Sequence, residues 1–263
     1  MPTSPTSPES RPRRRSRLRL YRWISPVVLL LLWQAASSTG LLPSSTLASP
    51  STLVRTTASL IADGELRDAF LVSGQRAAIG FVVGALAGLA LGVAAGLSRW
   101  TDGLLDPPLQ MLRTLPLLGL SPLLIIWFGI GEAPKIVLVA LGTAFPMYLN
   151  THSGVKGTDR QLLETARVLG FTRWQRLWHV VLPSALPSTL VGLRQSLGIA
   201  WLTLVVAEQI NANAGLGELI TNAAEFLRDD IVVVGLIVYA VLGLVTDALV
   251  RLLERRLLRW RTG

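Results

Sequence analysis

One feature limits what this chain can fold into more than any other: the segment Ala77 to Leu97, 21 residues without a charge. A helix needs about 20 apolar residues to cross a hydrocarbon core of about 30 Å, so this segment is long enough to span a bilayer. Five more apolar runs accompany it. They are Ile24 to Leu42, Pro107 to Ile130 (interrupted by Pro116 and Pro122), the short Lys135 to Asn150, Leu186 to Ala207 and Ile231 to Val250. Together they predict an all-α membrane protein of about six transmembrane helices. Composition agrees, with 51% hydrophobic and 16% charged residues, where ordinary soluble domains are about a quarter charged.

The net charge of +9 comes almost entirely from arginine, since Lys135 and Lys156 are the only lysines. A basic chain can signal nucleic-acid binding, but these arginines cluster beside apolar runs, which makes them a topology signal. With the N-terminus inside, the inner segments are residues 1–23, 98–106, 153–185 and 251–263, and they hold 18 of the 25 basic residues. Both termini are therefore expected in the cytoplasm. Residues 1–23 read as a disordered basic N-terminus, 24–42 as the first transmembrane helix, 70–252 as the core and 253–263 as a basic tail. A basic region, a leucine run and Ala35-Ala36-Ser37-Ser38 also describe a secretory signal peptide; the spans that follow favour an uncleaved first helix. The absence of cysteine excludes disulfides, iron–sulfur clusters and thiolate zinc sites.

In the second run Gly80, Gly84, Gly88, Gly92 and Gly96 recur every four residues. At about 100° per residue they form one slowly winding smooth stripe, where another helix can approach closely in lipid.

A polar stretch, "ETARVLGFTRWQRLWHVVLP" (residues 164–183), stands between the fourth and fifth runs. Gly170 suits a helix C-terminus and Thr172 can cap a second helix. Trp174, Leu177, Trp178 and Val181 then fall at i, i+3, i+4 and i+7, one amphipathic stripe, with Pro183 ending the helix and Pro187 opening the next span. Two short helices with an apolar ridge and a basic rim suit either the lipid headgroup layer or a partner protein, and the helix–Gly–helix design favours the partner.

The pattern Glu164-x-Ala166, then Gly170, then Val180-x-Leu182-Pro183 resembles the "EAA" signature of permease subunits of binding-protein-dependent ABC importers, with Thr165 where the signature has its first alanine. The resemblance runs from about Ser73 to Trp260 and is nearest to permeases for aliphatic sulfonates, with taurine, nitrate, another small organic anion or a vitamin precursor as the alternative cargo of the same machinery. It implies a type I ABC importer permease fold, with coupling helices at 160–183 docking on a cytoplasmic ATPase. It also implies a homodimer in the bacterial inner membrane, two ATPase copies and one extracytoplasmic solute-binding protein. No G-x-x-x-x-G-K-[ST] occurs in the chain, so it has no phosphate-cradling loop of its own. ATP and magnesium are expected on the partner ATPase, with no cofactor in this chain. An ion-coupled secondary transporter is the alternative from another class, and the spans offer it only Arg113, Arg194 and Asp247.

A charge at mid-bilayer costs about 2.5–3.5 kcal/mol on insertion scales, so such residues usually face a cavity or a partner. Arg194 could meet an anionic cargo, snorkel to the inner surface or pair with a carboxylate such as Asp247. Arg113, near the start of the third run, could line the pathway or reach inner headgroups. Glu208, expected at the outer surface before Gly215-Leu216-Gly217, could line the pathway, cap a helix or form a salt bridge. The two histidines, His152 and His179, have no ligand-spaced neighbours, so neither a metal site nor catalysis is expected.

Overall fold

The computed structural model describes residues 17–41 and 47–258, the side chains of 17–23, 118 and 211 excepted. The expectations for residues 1–16, 42–46 and 259–263 lie outside the described residues. In chain order the helices are α1 (Arg17–Ser38), α2 (Pro50–Ala62), α3 (Glu65–Leu97), α4 (Arg99–Thr114), α5 (Ser121–Phe128), α6 (Glu132–Lys156), α7 (Arg160–Val168), α8 (Arg173–Arg176), α9 (Leu182–Asn211), α10 (Leu216–Glu225) and α11 (Asp229–Leu257). Among the described residues, three helical stretches are each long and apolar enough to cross a membrane: α3, the unbroken stretch Arg173–Ile210 and α11.

Most departures from the expected boundaries lengthen a helix. Residues 17–23 belong to α1, although the sequence reads them as disordered. Nothing between Arg17 and Ile24 breaks a helix, and arginine and leucine are good helix formers. The second run starts at Glu65, where Glu65 and Asp68 in the first turn suit the positive helix end. The segment 99–106, read as a loop, is the first half of α4, capped by the Ser98 side chain on the Thr101 N–H. The third run then breaks at Leu115-Pro116 and resumes through a 3₁₀ turn, Leu117–Leu120, into α5. The fourth run is not short, since α6 has 25 residues. Residues 253–257, read as tail, complete α11. Two helices, α2 and α10, were not expected at all.

The polar stretch holds the clearest correction. Pro183 does not end a helix: α8 passes through a π turn, Leu177–Val181, directly into α9. Within an α-helix a proline ring clashes with the carbonyl four residues back. The π turn, in which the Leu182 N–H bonds to the Leu177 carbonyl, widens the backbone at that place, and the helix continues to Asn211.

The centre of the bundle is α3 on α6, running parallel. Gly80, Gly84, Gly88, Gly92 and Gly96 meet Val139, Thr143, Met147, Thr151 and Val155 in constant register, and a Cβ at any of the five would overlap α6. On another side of α6, Gly154 and Gly192 bring α9 equally close, with Ser188 and Asn150 as the opposing side chains. α11 packs on α9 and α10. At that end α2, α3, α10 and α11 share an apolar cluster that includes Leu53, Leu60, Leu66, Leu216, Ile220 and Val234.

Candidate functional site

The polar stretch forms a knob at one end of the bundle. α7 closes on Gly170, whose φ is +78°. The Phe171 N–H bonds to the Ala166 carbonyl at 2.9 Å and the Gly170 N–H to Arg167 at 3.0 Å, the paired bonds of a Schellman end. Thr172 then starts α8 in a reciprocal cap: its hydroxyl accepts from the Gln175 N–H, and the Gln175 side chain accepts from the Thr172 N–H.

Of the expected coupling residues, Ala166 is buried, Glu164 and Gly170 are exposed, and Val180, Leu182 and Pro183 are half-buried within the continuous helix. The inner side of the knob is anchored: Leu163 and Leu177 pack against Val155, Val181 and Ala185. Its outer side is bare. Val168 is 88% exposed, Trp174 67% and Trp178 54%, and the two indoles meet edge to face at 5.9 Å. A groove of about 880 Å³ between the knob and the ends of α3 and α6 is lined by Leu97, Val155, Leu163, Arg167, Trp174 and Arg176, among others.

At the opposite end lies a buried polar network that the sequence did not reveal. Glu208, expected at a surface, is 1% exposed. Its carboxylate accepts hydrogen bonds from Ser73 Oγ (2.8 Å), Arg76 Nη1 (2.7 Å), the Gly217 N–H (2.8 Å) and Tyr239 Oη (3.2 Å). Ser73 Oγ in turn accepts from the Leu216 N–H at 2.8 Å. One carboxylate and one hydroxyl thereby satisfy the first N–H groups of α10, where negative charge is also favoured by the helix dipole.

Arg76, 5% exposed, divides its guanidinium among Glu208, Glu132 at the start of α6 and the Ala214 carbonyl. Lys135, at the start of the fourth apolar run, is buried with Nζ 2.9 Å from Glu132. α3, α6 and α9 therefore meet on one set of ion pairs, to which α10 and α11 are hydrogen-bonded. The salt-bridge and helix-capping readings of Glu208 both hold. Gly215 and Gly217 make the close approach possible: a Cβ on either would fall 2.5 Å from Glu208.

Arg194 is neutralised as well. Arg194 pairs with Asp247 at 3.3 Å and with Glu254, joining α9 to α11. The structure does not bring Arg113, Arg194 and Glu208 together, and only Arg113 of the three is exposed. It is also not near the start of its helix but in the last turn of α4.

His152 does gain neighbours. Its Nε2 lies 2.8 Å from Asp102, with Asp106 also close. Lys156 takes the second oxygen of Asp102 at 2.8 Å, and Tyr148 Oη donates to Asp106 at 2.9 Å. The hydrogen bond from Lys156 holds the Asp102 carboxyl below its ordinary range. The four-residue spacing of Tyr148, His152 and Lys156 against Asp102 and Asp106 is the signal that could have found this pairing of helix faces.

Residues 80–259 match the family described as binding-protein-dependent transport system inner membrane component. The chain is 47% identical over 247 residues to a Bacillus subtilis (strain 168) protein named as an aliphatic sulfonates transport permease, covering 92% of this chain and 90% of that one. A protein of the same name from Escherichia coli (strain K12) is 50% identical over 243 residues, covering 92% of each. The taurine transport system permease protein of Escherichia coli (strain K12) is 37% identical over 238 residues, covering 89% of this chain and 86% of that one. Among solved structures, an amino acid ABC transporter aligns with a TM-score of 0.61 at 18% identity, over 76% of this chain and 97% of that one. An inward-facing methionine ABC transporter aligns at 0.53 and 20%, over 74% of this chain and 97% of that one. At such identities these two show the fold.

Proposed function

Because the chain belongs to the family of binding-protein-dependent transport system inner membrane components, we propose that it is the permease subunit of an ATP-driven importer of aliphatic sulfonates. It has the type I ABC importer permease fold and is a multi-pass protein of the inner membrane. The observation that carries the sulfonate assignment is the identity of 47% and 50%, over at least nine-tenths of both chains, to two permeases named for that cargo. Taurine is the second reading, supported by 37% identity to a taurine permease.

In this reading the chain hydrolyses nothing. Two ATPase subunits bind ATP and magnesium, two copies of this chain enclose the pathway, and a solute-binding protein delivers cargo from outside. Both termini and the knob face the cytoplasm, in line with the arginine bias, and the α10 end faces outward. The bare ridge of Val168, Leu169, Trp174 and Trp178 is the surface offered to the ATPase, framed by Glu164, Ala166, Gly170, Val180, Leu182 and Pro183. Closure of the two ATPases would move the knobs together and alternate access between the two faces, a rigid-body mechanism that needs a stiff connection from knob to bundle.

Uptake of labelled ethanesulfonate into cells with and without the gene, each with and without ATP depletion, tests this directly. Uptake that requires both supports the assignment. Gene-dependent uptake that survives ATP depletion and fails when the proton gradient is collapsed overturns it.

A further inference from the structure

Four basic residues lie in or beside the apolar stretches of α3, α4, α6 and α9, and three are neutralised within the chain. Arg76 is held by Glu132 and Glu208, Lys135 by Glu132, and Arg194 by Asp247 and Glu254. Arg113 is the exception. No carboxylate among the described residues pairs with it, and its side chain is exposed.

Its depth follows from helix geometry. Asp102 meets Lys156 and His152 at one end of α6, and Asp106 meets Tyr148 one turn on. The pairing is antiparallel, so α4 runs from that end of α6 toward its other end. Eleven residues beyond Asp102 at 1.5 Å each put Arg113 roughly 16 Å deeper, about half of a 30 Å hydrocarbon core.

Its direction follows from the helical repeat. Asp102, Asp106, Leu109 and Arg113 share one stripe of α4, because seven residues nearly complete two turns. Asp102, Asp106 and Leu109 on that stripe are half-buried, whereas Leu104, Pro107, Pro108 and Met111 on the far face are exposed. Arg113 therefore continues the packed, polar stripe, past the level where any other helix covers it, and does not belong to the lipid face. Residues 111–116 are all exposed, so α4 projects there into space that the single chain does not fill.

We propose that Arg113 is the pathway cation that reads the negative charge of the cargo at mid-membrane. In the two-copy importer a pair of guanidiniums faces the path, each able to donate two parallel hydrogen bonds to an oxyanion. The inference rests on the assignment of an anionic cargo and names the residue that recognises it.

The chain contains no cysteine, so Arg113→Cys introduces a single thiol. The complete importer would be expressed with this chain as wild type, Arg113→Cys, Arg113→Gln or Arg113→Lys, and co-purification of the ATPase checked for each. The expected result is a fall in ethanesulfonate uptake of about tenfold to a hundredfold for Arg113→Cys and Arg113→Gln, the range for one charged hydrogen-bonding contact. Arg113→Lys retains uptake within a few-fold of wild type. The thiol is labelled from the aqueous phase by 2-sulfonatoethyl methanethiosulfonate, read as a mass shift on this chain. The 2-aminoethyl reagent, which restores an ammonium, recovers uptake.

Uptake by Arg113→Gln within twofold of wild type overturns the proposal. So does a thiol that neither reagent reaches, or loss of ATPase association in all three variants, which would make Arg113 a folding residue. The sulfonate assignment fails separately: if the wild type carries taurine or nitrate instead, the same dependence on charge at residue 113 is expected for that cargo. An importer of an uncharged solute that Arg113→Gln leaves unimpaired retires both.

Discussion

Gly92→Ala tests the packing of α3 on α6 with one methyl group. A Cβ at residue 92 would lie 2.8 Å from both the Tyr148 carbonyl oxygen and Thr151 Cβ. Ordinary contact begins at 3.4 Å, so α6 must retreat by about 0.6 Å. The obstacle is partly backbone, which cannot rotate aside as a side chain can. Overpacking of this kind costs typically 1–3 kcal/mol. Alanine also gains helix propensity over glycine, about 1 kcal/mol, and that gain must be separated from the packing term. Gly74, on the same helix, provides the control, since a Cβ there meets nothing within 4 Å. Both variants share the propensity gain, so their difference isolates packing and should be about 1–3 kcal/mol. For a chain of this size each kcal/mol moves Tm by about 2–4 °C. Thermal unfolding in detergent is then expected to place Gly92→Ala about 2–12 °C below Gly74→Ala. Gly84→Ala, whose methyl would overlap the Ala140 carbonyl and Thr143 more severely, should fall lower still. If Gly92→Ala and Gly74→Ala unfold within 1 °C of each other, the glycines are not there for close approach, and the parallel register of α3 and α6 loses its explanation.

Two further outcomes are expected. Glu208→Ala removes the acceptor for Ser73, Arg76, Tyr239 and the Gly217 N–H; breaking a buried ion pair in this way costs about 3–5 kcal/mol, and Glu208→Gln should recover part of it. A thermal shift below 3 °C for Glu208→Ala would refute the network's structural role. Gly170→Val forces a β-branched residue into φ +78°, with nothing within 4 Å to clash, so its effect of about 1–2 kcal/mol is backbone strain in the turn. Membrane insertion should survive while uptake and ATPase co-purification fall, and normal co-purification would contradict the docking role.

Three of the six apolar runs fall in helices long and apolar enough to cross a membrane, because lipid leaves a spanning segment little compositional freedom. The break at Gly170 and Thr172 was equally legible, since a left-handed glycine and a threonine cap act within a few residues of themselves. Two kinds of feature were not. α2 buries Leu53, Thr56 and Leu60, a helical spacing that hydropathy passes over because threonines and serines dilute it. The second kind is contact between distant residues: Ser73, Arg76, Glu132, Glu208 and Tyr239 form one network, yet no local pattern links positions so far apart. A hint existed in the boundaries, since Arg76 ends the polar side of one apolar run and Glu208 closes another at what topology makes the same face. The proline rule misread Pro183 for a different reason, because a π turn supplied the room that an α-turn denies it.

The unbroken stretch from Arg173 to Ile210 connects these findings. Its 38 residues extend about 57 Å at 1.5 Å per residue, from the capped start beside the knob to the turn bearing Glu208. A displacement of the knob therefore reaches the far end through a single helix, without a loop to absorb it. Along the way Arg194 ties that helix to α11, and at its end Glu208 ties it to α3, α10 and α11 and, through Arg76, to α6. The Arg194 pairs are about one-third exposed and add little, but the Glu208 tie is buried, so rotation of α9 either carries α3, α10 and α11 along or breaks a buried ion pair at about 3–5 kcal/mol. The first is far cheaper, so the fold favours concerted movement of the bundle over sliding of one helix. α4 and α5 stand outside this arrangement, holding to α3 and α6 and separated by the Leu115-Pro116 break.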